Sequence, residues 1–505
     1  MTSGRVDSGA PTPPIAFAGT NDTIGDHLKS TRIEPDDRFV ERLRAICPVV
    51  TLADDPTAVA EASRDWWPLG MIWALGDQVG VRAALIATPE SAEEIAAILA
   101  LADEARIPVT VAAGRSGVCG ASLPVHGGVL LDLGARSGIV SVDDASMIVD
   151  VLPGTYGDRF EATLRGEFGM TAGHWPQSMA ISTVGGWLAC RGAGQYSTRY
   201  GKIEDIVVGL DVALVDGRVI TTGGAPRAAV GPDLTQLFVG SEGTLGVITG
   251  ARLRLHPAPG AERRAAFGFP SFAAGLDACR RILRRGATPA VLRLYDDVEG
   301  ERNFGTGPGV HPLLVLDEGD RALIDAVLRV VAEECHDADP LDPAYVAHWL
   351  ERRNDVAALE QNIRRGAVVD TMEISAPWAH CAAIYDAATA AIRGVEGTAV
   401  VSAHQSHAYS DGACLYFTFA GLVEADERER YYLAAWDAGT RAVLGHGGAL
   451  SHHHGVGLNR SRFVAEALGG AFDVLVDLKQ ALDPNGVLNP GKLGLPDPFG
   501  PVDWA

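Results

Sequence analysis

The sequence has no CxxC pair: its seven cysteines, Cys47, Cys119, Cys190, Cys279, Cys335, Cys381 and Cys414, are odd in number and widely spaced. That pattern excludes a disulfide framework and a cysteine-built zinc site, and predicts buried thiols in a reducing compartment. The first residues lack an apolar h-region and no charge-free run reaches membrane-spanning length, so a cytoplasmic protein without a transmembrane segment is expected. Positive charge is scarce too: 42 Lys and Arg stand against 64 Asp and Glu, a net charge of −22. With no basic run resembling a phosphate-backbone stripe, nucleic acid is not expected as a partner.

What is present is apolar residue, 47% of 505, enough to fill more than one core. The stretch 1–30 is rich in Pro, Gly, Ser and Asp, with PTPP at Pro11 to Pro14, and reads as a surface-wrapping or disordered segment. Short helices and turns are expected from Pro35 to Trp73, where Trp66, Trp67 and Trp73 read as core anchors. From residue 83 strand and helix alternate: Ser91 and Glu94 form a capping box before IAAILALADEA, and Val109 to Ala113 and Gly128 to Leu133 read as strands. A first unit closes near Pro257-Ala258-Pro259, and α+β composition over an antiparallel sheet follows, with one helix expected over Ala465 to Ala481 and a docking tail after it. The expected division is 1–80 (an extension with short helices), 81–259, 260–460 and 461–505.

Three glycine-rich stretches punctuate the first unit: GRSGVCG at Gly114 to Gly120, PQSMAISTVGG at Pro176 to Gly186, and FVGSEGTLGVITG at Phe238 to Gly250. The last is expected as a loop between strands, and its missing Cβ atoms let backbone lie against a ligand. A single large cofactor can collect all three. GRSGVCG lacks the spacing and following helix of GxGxxG and the Lys of a P-loop, which disfavours a nicotinamide-binding Rossmann domain. A nest of N–H groups around a pyrophosphate stays open, with Ser116 as an added donor.

The densest polar chemistry is Ser451-His452-His453-His454-Gly455-Val456-Gly457. Adjacent histidines cannot all point one way, so no metal site is expected from them alone; a metal shared with His404 and His407, an exposed polar turn, and a proton donor or acceptor at a reacting centre are the readings. Tyr409, within HQSHAYSDG, is the first candidate for a proton relay. Arg293 is a charge inside an apolar strand pattern, placed for an anion or a buried carboxylate; Arg199, Lys202, Arg460 and Arg462 are weaker candidates, and Glu373 and Trp378 read as structural.

The three glycine stretches and YGKIEDIVVGLDVALVDG stand in the order seen in FAD-linked flavoenzymes of the vanillyl-alcohol oxidase type, which the chain resembles from about Ile86 to LKQALDPNGVLNPGKL. The resemblance implies an α+β protein: a PCMH-type FAD-binding domain of two α/β subdomains, and a substrate (cap) domain with an antiparallel sheet. Within that family RLYD, MEISAPW, HAYSDGACLYF and SHHHGVG resemble the alkyldihydroxyacetonephosphate synthase branch. By resemblance, Gly114, Arg115, Ser116, Gly117, Val118 and Gly120 hold the pyrophosphate. Pro176, Ser178, Thr183 and Gly186 run along the cofactor, and Glu242, Gly243, Thr244, Gly246 and Ile248 lie near its flavin or adenine end. Tyr409 and His453 are acid and base, His452 and His454 their neighbours, and Arg293 holds an anionic group. No histidine occurs from Val111 to Gly120, so the FAD is expected to be non-covalent. The implied reaction exchanges an acyl for an alkyl group on a dihydroxyacetone phosphate ester carried on flavin N5; the alternative is oxidation of an alcohol or 2-hydroxy acid. A small-molecule or lipid-like substrate is expected, and a homodimer is open to it. Two departures bear on this: Arg115 and Gly117 interrupt the usual GGGTS-like loop, and Leu458 replaces a basic residue expected after the histidines.

Overall fold

The computed structural model describes residue 15 and residues 27–52, 56–356 and 358–502. The PTPP stretch lies outside the described residues. Three sheets carry the fold, with a short two-stranded pairing of Met170–Thr171 and His256–Pro257 beside them. The first runs Val50–Leu52, Leu85–Ala87, Val129–Asp132, Val109–Ala112 in spatial order, and its last three strands are parallel. Both faces are buried, as the apolar runs of these strands require, with helix Ala92–Ala105 packed in the same core. Ser91 Oγ accepts from Glu94 N at 3.0 Å and caps this helix, but the Glu94 carboxylate reaches Glu90 N, one residue before the cap, so the expected box is displaced.

The second sheet is antiparallel, in the order Ile139–Asp143, Ile148–Val151, Val247–Arg254, Val207–Ala213, Val219–Thr221. The FVGSEGTLGVITG stretch does not lie between strands: helix Leu234–Phe238 precedes it and strand Val247–Arg254 absorbs its end. Asp233 caps that helix by accepting from Thr235 N, a local signal that a β-propensity reading passes over.

The third sheet has seven antiparallel strands, ordered Asp339–Leu341, Ala261–Phe269, His311–Gly319, Val291–Tyr295, Thr398–Ala408, Gly412–Gly421, Val368–Pro377. Helices Phe272–Arg284, Trp378–Arg393 and Arg428–Gly445 share its apolar core. The helix expected over 465–481 is two helices, Val464–Leu468 and Ala471–Leu482, because Gly469 takes φ 53° and breaks it. The chain's last stretch returns to the first sheet: Val109 N donates to Val487 O and Asn489 N to Val109 O, both at 2.8 Å. Lys479 Nζ donates to Thr244 O at 2.9 Å, and Asn489 Nδ2 to Glu242 O at 2.6 Å. Among the described residues, no helix is long and apolar enough to cross a membrane.

Candidate active site

A cavity of ≈ 460 Å³ runs between the glycine stretches and the seven-stranded sheet. Of the expected cofactor residues, Gly114, Arg115, Ser116, Gly117, Val118, Pro176, Ser178, Thr183, Gly186, Glu242, Gly243, Gly246 and Ile248 line it. Gly120 and Thr244 do not. Gly120 is packed under Trp67, and Thr244 is tied back to Ser241 O through its hydroxyl at 2.7 Å. At Gly114 a Cβ would strike Ile181 O, so glycine there lets the first two glycine stretches touch.

The other end of the cavity is built by strand Thr398–Ala408 and the loop 451–457. Residues i and i+3 of a regular strand face opposite ways, but a bulge inserts Ser406 between the pairs Gln405–Leu415 and His407–Cys414. His404, Ser406 and His407 consequently all line the cavity, beside Arg293, Thr371, Tyr416, His453 and His454.

Glu373, fully buried, organises the histidine loop. Its carboxylate accepts from the backbone N–H of His452, of His453 (3.0 Å) and of His454 (3.0 Å), from Ser451 Oγ (2.8 Å), and pairs with Arg460 Nη1 at 3.0 Å. Burial alone would raise this carboxyl, but Arg460 and these donors outweigh it and hold it below the usual range. Glu242 grips the same loop from the glycine side, accepting from Val456 N at 2.6 Å and Gly457 N at 2.9 Å. Glu373, Cys414, His452 and His453 place ligand atoms within 4.8 Å of one another, but these donors already occupy the Glu373 oxygens, which argues against a metal there. Arg460 is fully buried between Glu373 and the Trp436 ring, 5.0 Å away, and does not reach the cavity. Arg199 is bound to Asp317, Lys202 Nζ donates to His452 O at 2.7 Å, and Arg462 lies over Phe463, so the anion candidate at the histidine end is Arg293.

Arg293 Nη2 donates to His404 Nε2 at 2.6 Å, which leaves the His404 proton on Nδ1, facing Glu299 Oε2 at 2.7 Å. Burial and Arg293 lower the His404 pKa to about 4 against the pull of Glu299, so the ring is neutral at pH 7.

Tyr409 and His452 stand one layer behind the cavity wall. A continuous hydrogen-bonded path runs His453 Nδ1 to His452 Nδ1 (2.9 Å), His452 Nε2 to Tyr409 Oη (3.0 Å), Tyr409 Oη to Ser197 Oγ (3.0 Å), and Ser197 Oγ to His407 Nδ1 (2.7 Å). Both its ends, His453 and His407, line the cavity, with ring centroids 5.0 Å apart. Burial pushes Tyr409 well above its ordinary pKa and lowers His407, His452 and His453 well below theirs, so every member is neutral. Ser197 carried no sequence signal, and Glu373 read as structural; only long-range contact reveals either.

FAD fits this cavity by the chemistry of its walls. Buried polar atoms without a partner among the described residues, Asp65 Oδ2, Trp66 Nε1, both ring nitrogens of His174 and Gln195 Oε1, face it as acceptors and donors.

Two family models match: one described as FAD binding domain over residues 83–223, and one described as FAD linked oxidases, C-terminal domain, over 258–493. The alkyldihydroxyacetonephosphate synthase of Dictyostelium discoideum is 29% identical over 448 residues, covering 81% of this chain and 73% of that protein. An uncharacterised FAD-linked oxidoreductase, YgcU, of Escherichia coli (strain K12) is 30% identical over 406 residues, covering 77% and 83%. A solved structure of an alkyldihydroxyacetonephosphate synthase superposes with a TM-score of 0.74 at 25% identity, covering 93% of this chain and 88% of that one.

Proposed function

The chain belongs to the FAD-linked oxidase family, and from that premise we propose that it is a flavoenzyme that exchanges groups on an amphipathic substrate bearing one anionic group, without net oxidation, in the manner of alkyldihydroxyacetonephosphate synthase. The carrying observation is the path from His453 to His407 whose two ends open into one cavity. An exchange that removes a proton from carbon and later restores it needs a base and an acid that conserve that proton. Shifting every bond of the path takes a proton in at one histidine and delivers it at the other, through neutral groups and without charge left in the wall.

Bound FAD would supply the electrophilic and nucleophilic ring chemistry, and Gly114 to Val118, Thr183, Gly186, Glu242, Gly243, Gly246 and Ile248 would hold it. Arg293, fixed by His404 and Tyr295, takes the anionic group. Ile181, Val356 and Leu359 add an apolar stretch to the same wall, suited to an alkyl chain. A second reading, net oxidation of an alcohol or 2-hydroxy acid, draws support from the 30% identity to an FAD-linked oxidoreductase.

Anaerobic mixing separates the two. The proposal expects acyl-for-alkyl exchange on acyldihydroxyacetonephosphate with no electron acceptor and an unbleached flavin band at the end. Persistent bleaching by a hydroxy acid, with no exchange, would sink it in favour of the second reading.

A further inference from the structure

The match to the FAD-binding family model begins at residue 83, yet an earlier segment closes part of the cavity. Asp65 and Trp66 line it and are 1% and 8% exposed. Their neighbours hold them firmly: Ala83 N donates to Ser63 Oγ at 2.9 Å, Trp67 N to Asp65 Oδ1 at 3.1 Å, and Trp67 Nε1 to Tyr432 Oη at 2.8 Å. These bonds spend Asp65 Oδ1 and leave Asp65 Oδ2 and Trp66 Nε1 without partners. A buried carboxylate oxygen and a buried indole N–H each cost free energy when left bare, and here an acceptor and a donor stand on consecutive residues of one rigid segment. The glycine loop passes close by: a Cβ on Gly117 would sit in ordinary contact with Asp65 Oδ2, at 3.6 Å.

We propose that Asp65 and Trp66 form a two-point clamp on bound FAD, Asp65 Oδ2 taking a hydroxyl or N–H of the cofactor and Trp66 Nε1 donating to a cofactor oxygen. The ribityl–diphosphate part of FAD carries that combination, hydroxyl donors beside phosphate acceptors, and the facing loop is the one that suits a diphosphate. Burial raises the Asp65 carboxyl to about 7 against the Trp67 N–H, the charge of Lys492 and the backbone N–H groups of Gly120 and Ser122 that also face it, which softens its repulsion of a nearby phosphate.

Titrating FAD into the apoprotein, read by quenching of flavin fluorescence, tests the clamp independently of any turnover. Asp65→Leu is expected to weaken FAD binding about tenfold, and Trp66→Phe, which keeps the ring and loses only the N–H, about fivefold. Asp65→Asn keeps an acceptor oxygen and stays within about threefold of wild type. Unchanged FAD affinity in folded Asp65→Leu and Trp66→Phe, whether or not their melting temperatures fall, overturns the proposal. Should Asp65→Leu not fold, Trp66→Phe alone decides it by the same criterion.

Discussion

Two neutral imidazoles facing each other through Nδ1 at 2.9 Å cannot both carry a proton there, so His452 and His453 adopt opposite tautomers. That single constraint propagates: once His453 is assigned, Tyr409 and Ser197 have their hydroxyl directions fixed as far as His407. Tyr409→Phe removes the middle of the path and leaves its shape, and is expected to lower kcat by about 10²- to 10⁴-fold with FAD content unchanged. Ser197→Ala, one step further along, should do the same. Undiminished turnover in either variant would remove the path from the mechanism.

At the scale of the element, the histidine loop is held open-ended by two carboxylates, Glu373 along 452–454 and Glu242 at 456–457. Its shape demands glycine where it turns. Gly457 has φ 54°, and a Cβ there would strike Cys119 O. Gly457→Ala is therefore expected to cost about 1–3 kcal/mol in stability, measured by denaturant unfolding, and to lower turnover by displacing His453. The glycine stretches were legible in the sequence because a left-handed or crowded backbone leaves its mark at the position itself. Glu373 was not, since its five donors come from residues about eighty positions away. The facing of His404 and His407 into one cavity depends on a bulge at Ser406, which has no composition of its own and leaves no mark in the sequence. The 465–481 helix failed on Gly469, whose positive φ outweighed an otherwise continuous helical pattern.

For the whole molecule, the cavity is a concentration of histidines held neutral. Burial lowers His174 to about 3 and His404 and His454 to about 4, and His407, His452 and His453 fall well below 6.5. A histidine with a depressed folded pKa stabilises fully above its unfolded value, and that stability is lost as pH falls from about 6.5 toward the folded pKa, by up to about 1.4 kcal/mol per group per pH unit. Asp65, Asp296 and Asp370, raised to about 7, 6 and 6, act in the opposite sense across the same window. Eight lowered histidines, His256 and His311 among them, titrate against the three carboxyls raised furthest into this window, Asp132, Asp150, Glu242, Asp317 and Glu318 being raised less, so the melting temperature should fall between pH 6.5 and pH 5. A flat or rising profile over that range would overturn this expectation.

The tail gives the cavity a place in time. Glu242 and Thr244 stand in its wall and behind it, and their carbonyls are held by Asn489 and Lys479. A chain that emerges from the ribosome N-terminus first can complete its earlier sheets while the grips on these two residues are still unmade. The wall at Glu242 thereby gains its last backbone partner only once residues 479–489 have been made.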